Sequence, residues 1–585
     1  MTRLRKADAP CKPDLDSKPG LDCKLGLQSK PGCFSGMSNI YSTKKPTIEG
    51  EGPRFMEEPE RSSPENKPRI LILGAAVMQG PALRIAAEMG LEVVAADADP
   101  NAACIPLAAR FEKVDLKDRE GIEELGRSLI ARGGLGGVMT AGTDFSATVS
   151  WAAEKLGLPG IPYETALDAC DKERMRQRFR AAAVPSPEFV IMKNPPGKDN
   201  ILPFPLPVVV KPVDNMGARG CRRVDSYKEL NAAVSDALKF SRSGRAIVEE
   251  YMEGPEFSVD ALVYRGEITI CGIADRHIFF PPYFIEMGHT MPSACDPAAL
   301  RSLLDAFRAG VKALGITDGA AKGDIKLTSR GPMIGEIAAR LSGGYMSGWT
   351  YPYSCGVQPT RGAIEIALGK KPGGLESEWR WTSAERAFIS IPGKVRTIEG
   401  IEKARIMPWV RDVFMRIRPG STVCFPENNV SKCGNIISAA ASRADAVHSA
   451  EKAARTILIR LETPNEATDA FLAISPSGAN AAFPPDAFTL DSWLLGLLSA
   501  LPETTYGARH LFPFPAFSES GLRDYAGRGV LESLDAVRML TGMELPVAAE
   551  NSGAHILGRS FWQALIRGGY QGAVYYIDSL GTENE

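Results

Sequence analysis

The chain has 585 residues, 44% hydrophobic and 24% charged, an ordinary globular composition with length for about four domains. Lys and Arg total 68 against 70 for Asp and Glu, a formal charge of −2, so bulk charge gives no reason to expect binding to nucleic acid or an anionic membrane. The longest strongly apolar run, Ser492–Leu501, is too short to span a bilayer, and no apolar core follows the basic N-terminus as a secretory signal requires.

Eleven cysteines are scattered without a Cys-x-x-Cys pair, and His277, His289, His448, His510 and His555 do not group with them. That spacing argues against a disulfide framework, a zinc site or a Ser-His-Asp triad, and for a cytoplasmic chain with reduced thiols.

Residues 1–66 differ from the rest. A six-residue repeat runs through CKPDLD, SKPGLD, CKLGLQ and SKPGCF, with Lys12, Lys18, Lys24 and Lys30 in register. Pro and Gly break regular structure and few apolar groups offset the ordering entropy, so a disordered tail is expected, with a docking segment as the alternative. A translation start at Met37 or Met56 is a further reading.

Order is expected from Arg69. Ile70–Leu73 reads as a buried strand, the segment through Leu83 and Met89 as a helix closed by Gly90, and Leu91–Ala96 as a second strand. A helix over Leu116–Arg132 and a third strand at Gly137–Thr140 complete a parallel α/β pattern. The turn GAAVMQG, residues 74–80, is a loosened dinucleotide fingerprint and reads as a plain α/β turn in preference to an NAD site.

The chemistry-bearing motifs lie between Lys172 and Arg340. Lys172 opens an amphipathic helix that stops near Val184–Pro185. Lys211 ends a β-branched strand and is followed by the Gly-rich loop Asp214–Gly220, where backbone N–H groups can cradle phosphate and the lysine adds a mobile charge. The run VEEYMEGPE, residues 248–256, is strand, bend and strand, carrying Glu249, Glu250 and Glu256. Asp324 and Glu336 fall on two strands joined by a turn at Ser329–Pro332, so their carboxylates can meet as hard oxygen ligands for Mg²⁺. Lysine, lysine with a Gly-rich loop, a Glu-rich strand and an acidic hairpin in this order amount to an ATP–Mg²⁺ site.

This order resembles the ATP-grasp superfamily of ligases, in particular its amino-acid-ligase and carbamoyl-phosphate-synthetase-like members, over about Arg69–Glu462. The motifs carrying the likeness are Lys172, Lys211, the DNMGARG loop, VEEYMEGPE and the GD…GEIAAR pair. The resemblance implies that Lys172 and Lys211 hold the inner phosphates of ATP, that the loop with Asn215, Gly217 and Gly220 closes over the γ-phosphate, that Glu249 and the backbone after it, including Glu250, face adenine, and that Glu256 takes the ribose hydroxyls. It further implies Mg²⁺ or Mn²⁺ on Asp324 and Glu336, and Arg340 at the substrate carboxylate or acyl phosphate. Many members carry Asn two residues after the second acid; here that position is Ala338, one metal ligand fewer.

The flanks follow the same resemblance. Residues 69–165 are expected to be a Rossmann-like domain preceding the ATP-grasp fold, with Asp144 of TAGTDF facing the acceptor pocket. Residues 166–384 are the two-lobed ATP-grasp domain, and within 275–292 Arg276, His277, Glu286 and His289 are candidate substrate contacts, with a structural role as the alternative for the histidines. Residues 385–462 form a small β-rich module with a helix over Asp445–Ile459. Residues 463–585 are an unassigned globular region, with an amphipathic helix at Leu531–Leu540 and a strand-like GAVYYID.

The reading is therefore a multidomain α/β and α+β protein: a carboxylate–amine ligase, with an amino acid as the substrate class, that uses ATP and Mg²⁺, passes through an acyl phosphate and releases ADP and phosphate. Its partners are small-molecule carboxylates and amines, not nucleic acid or membrane, and a homodimer is left open. Two alternatives stand: carboxyphosphate chemistry of the carboxylase or carbamoyl type, and an ATP-binding module without turnover.

Overall fold

A computed structural model of the chain describes residues 67–197, 202–480, 482–549 and 554–582. The repeat segment and its reading as a disordered tail lie outside these residues. Among the described residues no helix is long and apolar enough to cross a membrane.

Order begins at β1 (Arg69–Leu73), with Ile70 and Ile72 buried on one face and Leu71 and Leu73 on the other. Then come α1 (Gly80–Glu88), β2 (Glu92–Asp97), β3 (Arg110–Lys113), α2 (Arg119–Ala131), β4 (Gly137–Thr140) and α3 (Ser146–Leu156). The sheet is parallel, in the order β3-β2-β1-β4. Helix α1 covers one face, α2 and α3 the other, as two-sided burial of a parallel sheet requires. The strand Gly137–Thr140 is thus the fourth, not the third. The one missed, RFEK, is a half-buried edge strand whose alternating charges give no apolar run.

Helices α4 (Tyr163–Cys170) and α5 (Lys172–Ala181) lead into a small lobe. Asp171 caps α5 by accepting from Glu173 N and Arg174 N, which sets Lys172 at the first helical position. The lobe holds β5 (Phe189–Met192), β6 (Val208–Pro212), β7 (Arg222–Val224), α6 (Tyr227–Phe240) and β8 (Ala246–Glu250). Its sheet is antiparallel, β5-β8-β6-β7, and α6 packs Leu230 and Val234 on Val208, Val210 and Val248.

The large lobe contributes β9 (Glu256–Tyr264), β10 (Glu267–Phe279), β11 (Ile285–Met291), α7 (Pro297–Leu314), β12 (Gly319–Thr328) and β13 (Gly331–Ala338). Next come β14 (Thr382–Phe388), β15 (Gly393–Glu399), β16 (Val410–Met415), β17 (Thr422–Val423), β18 (Gly434–Ala440) and β19 (Leu458–Leu461). One antiparallel sheet of eight strands runs β13-β12-β9-β10-β11-β14-β18-β16, backed by Phe179 of α5 and Phe307 of α7. The domain boundary expected at 384–385 falls inside β14, which bonds to both β11 and β18, so the two regions share a sheet. The boundary expected at 165–166 falls inside α4.

Residues after 462 are mostly helical: Glu466–Leu472, Ser492–Ala500, Val530–Thr541 and Arg559–Thr582. GAVYYID lies in the last of these, not in a strand. The span breaks at non-helical Gly569, and in its second part Ala573 and Val574 face the C-terminal core and Tyr575 the core of the preceding module, so GAVYYID is apolar on both sides and its composition mimics a buried strand. Phe471 and Tyr575 pack with Ile459 and Leu461, and Tyr575 Oη takes a bond from Asn465 N (2.7 Å) and gives one to Asp469 (2.6 Å). The region is therefore fused to the module before it. Tyr575→Ala should destabilise the protein by about 3–5 kcal/mol in urea unfolding, and Tyr575→Phe by only about 1–2 kcal/mol, since the phenylalanine loses the hydroxyl bonds but keeps the packing.

Candidate active site

Between the two lobes lies a cavity of ≈ 380 Å³. On the small-lobe side Lys211, on β6, points from the strand toward β8 and pairs with Glu249 (2.8 Å). Glu249 is buried and also meets Arg176 of α5 (2.9 Å), whose other nitrogen donates to Gly335 O on β13 (2.7 Å). Burial pushes the Glu249 carboxyl up, but Arg176 and Lys211 outweigh it and hold the group below its ordinary range. Lys172, also buried, donates to Asn215 O in the Gly-rich loop (2.9 Å) and lies 3.7 Å from Glu336. Burial lowers its pKa, and Glu336, Asp144 and Glu249 more than restore it, so the ammonium is retained.

Loop 214–220 joins β6 to β7. Asp214 anchors it by accepting from Ser241 Oγ and the backbone of Arg242 and Ser243. Gly220, at φ +66°, lies so close to Phe240 that a Cβ there would sit 2.8 Å from the ring, so only glycine fits. Asn215 Nδ2 donates to Phe240 O, and Gly217 faces the cavity.

On the large-lobe side Asp324 and Glu336 are direct cross-strand partners on β12 and β13. Asp324 meets Lys322, Arg276 (3.1 Å) and Ser258 Oγ (3.1 Å). Burial raises both acids, yet Arg276 and Lys322 for Asp324, and Lys172 and Lys211 for Glu336, leave both below the usual carboxylate range. Two ionised hard-oxygen groups side by side, facing the cavity with the two lysines, fit a divalent cation.

Arg276 is a second hub. Its guanidinium joins Glu256, Glu286 (2.6 Å) and Asp324, and these carboxylates raise its pKa against the effect of burial. Glu286 also faces His289 (3.5 Å), and His289 is bonded through Nδ1 to buried Glu385 (2.9 Å). Burial alone would lower His289, but Glu286 and Glu385 raise it to about 9, an imidazolium between two carboxylates. Gly344, at φ +60°, passes directly over this pair, and a Cβ there would be 3.1 Å from Glu286 Oε1 and from the His289 ring. His277 meets Thr290 Oγ1 (2.9 Å), and burial with the nearby Arg386 and His289 charges drops it to about 4. Arg340 donates to Leu341 O (3.0 Å) and lines the cavity.

The structure thus brings Lys172, Lys211, Asn215, Gly217, Glu249, Glu250, Glu256, Arg276, Glu286, Asp324, Glu336 and Arg340 to one cavity. It sets the other candidates behind the wall. Gly220 lies under α6, His277 and His289 support Glu286 and Thr290, and Asp144 sits among Arg340, Lys172 and Glu336, where burial raises its pKa despite those cations. Sequence reasoning missed Lys322 and Lys326, which share a strand face with Asp324 at the period of two. It also missed Arg416, Asn429 and Lys432, which reach the cavity from the C-terminal module and carry no local signal. Nine basic and six acidic side chains line the cavity, a positive excess suited to an anionic ligand.

Comparison with known proteins gives this geometry a class. Residues 204–348 match the ATP-grasp domain and residues 387–462 match the L-amino acid ligase C-terminal domain 2. The chain thus carries an ATP-grasp domain followed by an L-amino acid ligase C-terminal domain 2. The uncharacterized protein y4rH of Sinorhizobium fredii is 26% identical over 55% of this chain and 68% of its own length. Carnosine synthase 1 of Gallus gallus is 25% identical over 53% of this chain, which spans 36% of that protein. The crystal structure of an L-amino acid ligase from Bacillus licheniformis has the same fold, with a TM-score of 0.60 at 22% identity, covering 68% of this chain and 100% of that one.

Two outcomes follow from the buried charges. Glu249→Gln leaves Arg176 and Lys211 without their counter-charge and should cost about 3–5 kcal/mol in urea unfolding. His289, with a folded pKa of about 9 against 6.5 unfolded, contributes stability that is full below pH 6.5 and lost as pH rises through 9. Thermal unfolding of the protein should therefore weaken over that window, by at most about 3 kcal/mol, and His289→Gln should flatten the decline.

Proposed function

We propose that the chain is an ATP- and Mg²⁺-dependent ligase that joins the carboxylate of an amino acid to an amine through an acyl phosphate. The observation carrying this reading is the convergence of Lys172 and Lys211 with the Asp324–Glu336 pair beneath loop 214–220. Lys172 and Lys211 neutralise the inner phosphates, and Asn215, Gly217 and their neighbours cover the outer one. Val209, Tyr251, Met252, Ile278 and Phe284 line an apolar part of the cavity that suits adenine, and Glu256 stands beside it for the ribose. Glu249, fully engaged by Arg176 and Lys211, acts on the nucleotide through Lys211.

Asp324 and Glu336 would hold the cation, which would supply charge neutralisation at the outer phosphates; Ala338 offers no third oxygen ligand. Arg340, beyond Glu336 at the end of β13, is placed to grip the substrate carboxylate. That carboxylate oxygen attacks the γ-phosphorus as the bond to the β-phosphate oxygen breaks and ADP leaves. The amine nitrogen then attacks the acyl carbon, loses one proton, and phosphate departs with the acyl oxygen. The names of two relatives, a carnosine synthase and an L-amino acid ligase, support an amino-acid substrate.

The reaction is tested with ¹⁸O in the substrate carboxylate: one label should appear in the released phosphate, with ADP as the nucleotide product. AMP among the products, or unlabelled phosphate, rejects the acyl phosphate, and ADP release that depends on bicarbonate directs the reading to carboxyphosphate chemistry. Lys211→Ala should lower kcat/KM by at least about 10²-fold, measured as ADP formation. Ala338→Asn should tighten Mg²⁺ binding in titration calorimetry, and Asp324→Asn should weaken it.

A further inference from the structure

Asn429 lines the cavity, and its backbone and side chain bond three separate parts of the site. It lies between β17 and β18. Its backbone N–H donates to Gly217 O in the phosphate loop (3.0 Å). Its side-chain Oδ1 accepts from Glu286 N on β11 (2.8 Å), and its carbonyl accepts from Arg416 just after β16 (3.2 Å). The segment is seated from below by Phe425, whose ring packs edge-on against Phe280 (5.1 Å), Phe483 (5.5 Å) and Tyr525 (5.0 Å). Phe280 belongs to the β10–β11 hairpin tip, and Phe483 and Tyr525 to the C-terminal region. The same tip meets β7, the strand after the loop, through Arg223 N to Pro282 O (2.7 Å).

We infer that Asn429 is a positioning residue that latches the phosphate loop to the acceptor end of the cavity and so sets how much of the activated acyl group reaches the amine instead of water. The inference rests on the ligase reading. The loop's other tie inside the cavity is Asn215 O to Lys172, the ammonium that must turn to the phosphates when nucleotide is present. The bond to Asn429 does not compete with nucleotide. Because its side chain holds the Glu286 backbone, loop closure and the position of the Glu286 carboxylate are mechanically joined. An acyl phosphate is consumed in two ways: amine nitrogen bonds to the acyl carbon and phosphate leaves, or water oxygen does so and phosphate leaves with nothing ligated. Both form ADP, and only the first forms product, so a loose latch raises ADP per product.

The test uses the full-length protein with a mixture of the proteinogenic L-amino acids as carboxylates and hydroxylamine as the amine, in large excess over the amino acids' own α-amines so that dipeptide stays negligible, counting ADP against hydroxamate. Asn429→Ala leaves the Glu286 amide without its acceptor and should raise ADP per hydroxamate about fivefold, while Asn429→Asp, which keeps an acceptor oxygen, should stay within about twofold of wild type. Equal loss of ADP and hydroxamate in the Ala variant, or an Asp variant as leaky as Ala, overturns the latch. A second arm needs no turnover and no variant: in the wild type, hydrogen exchange should slow about fivefold over both 214–220 and 284–288 when Mg²⁺ and a non-hydrolysable ATP analogue are added. Protection of the loop alone overturns the latch. Joint protection with no hydroxamate from any amino acid leaves the latch standing and rejects the ligase reading.

Discussion

The site depends on one buried carboxylate. Glu249 is enclosed with two cations, and each comes from a different element: Arg176 from α5 and Lys211 from β6. A single unpaired charge at that depth would cost several kcal/mol, so removing the carboxylate penalises both cations. Arg176 also holds Gly335 O, next to Glu336, so the triad ties the small lobe to the hairpin that carries the acidic pair. On the proposed reading, the lysine that would meet the phosphates and the acids that would hold the cation are thereby held at a fixed separation before either ligand arrives. Preorganisation of this kind is what a phosphoryl-transfer site needs, since the protein contributes position and charge and little covalent chemistry.

The same economy governs the Arg276 and His289 network. Arg276 answers three carboxylates and His289 two, and each acid keeps its charge because a cation lies beside it. Asn435 donates to Glu385 from β18, so this network crosses from the ATP-grasp strands into the C-terminal module without leaving the eight-stranded sheet. The shared sheet explains why no linker could be read near 384: β14 is a central strand whose neighbours come from both sides of the expected boundary.

Legibility followed locality. Lys172, Lys211, the Gly-rich loop and the Asp324–Glu336 hairpin were readable because each motif is complete within a dozen residues and its spacing dictates which groups face one another. The parallel α/β domain was readable from apolar runs, except at RFEK, where an edge strand carries no such run. The partner of Glu249 was not readable, because Arg176 is one of four arginines in KERMRQRFR and only tertiary packing selects it. The same holds for Arg416, Asn429 and Lys432, which meet the cavity only because β14 pairs with distant β11, β18 with β14 and β16 with β18. GAVYYID misled because a helix buried on every side has no polar face to reveal its period.

The cavity's lining stretches in chain order from Met78 to Lys432. During synthesis the part of the lining carried by Lys172–Arg340 is complete once Arg340 has emerged, while the part carried by Arg416, Asn429 and Lys432 waits for β14, β16 and β18, and the aromatic brace waits for Tyr525. A growing chain therefore exposes the edge of β11, the strand that β14 will cover, for as long as translation takes to deliver that partner. The slow, nonlocal pairing of β11 with β14 is the step at which a ribosome-bound intermediate of this protein is most open to intermolecular strand exchange, and the point where a chaperone has most to protect.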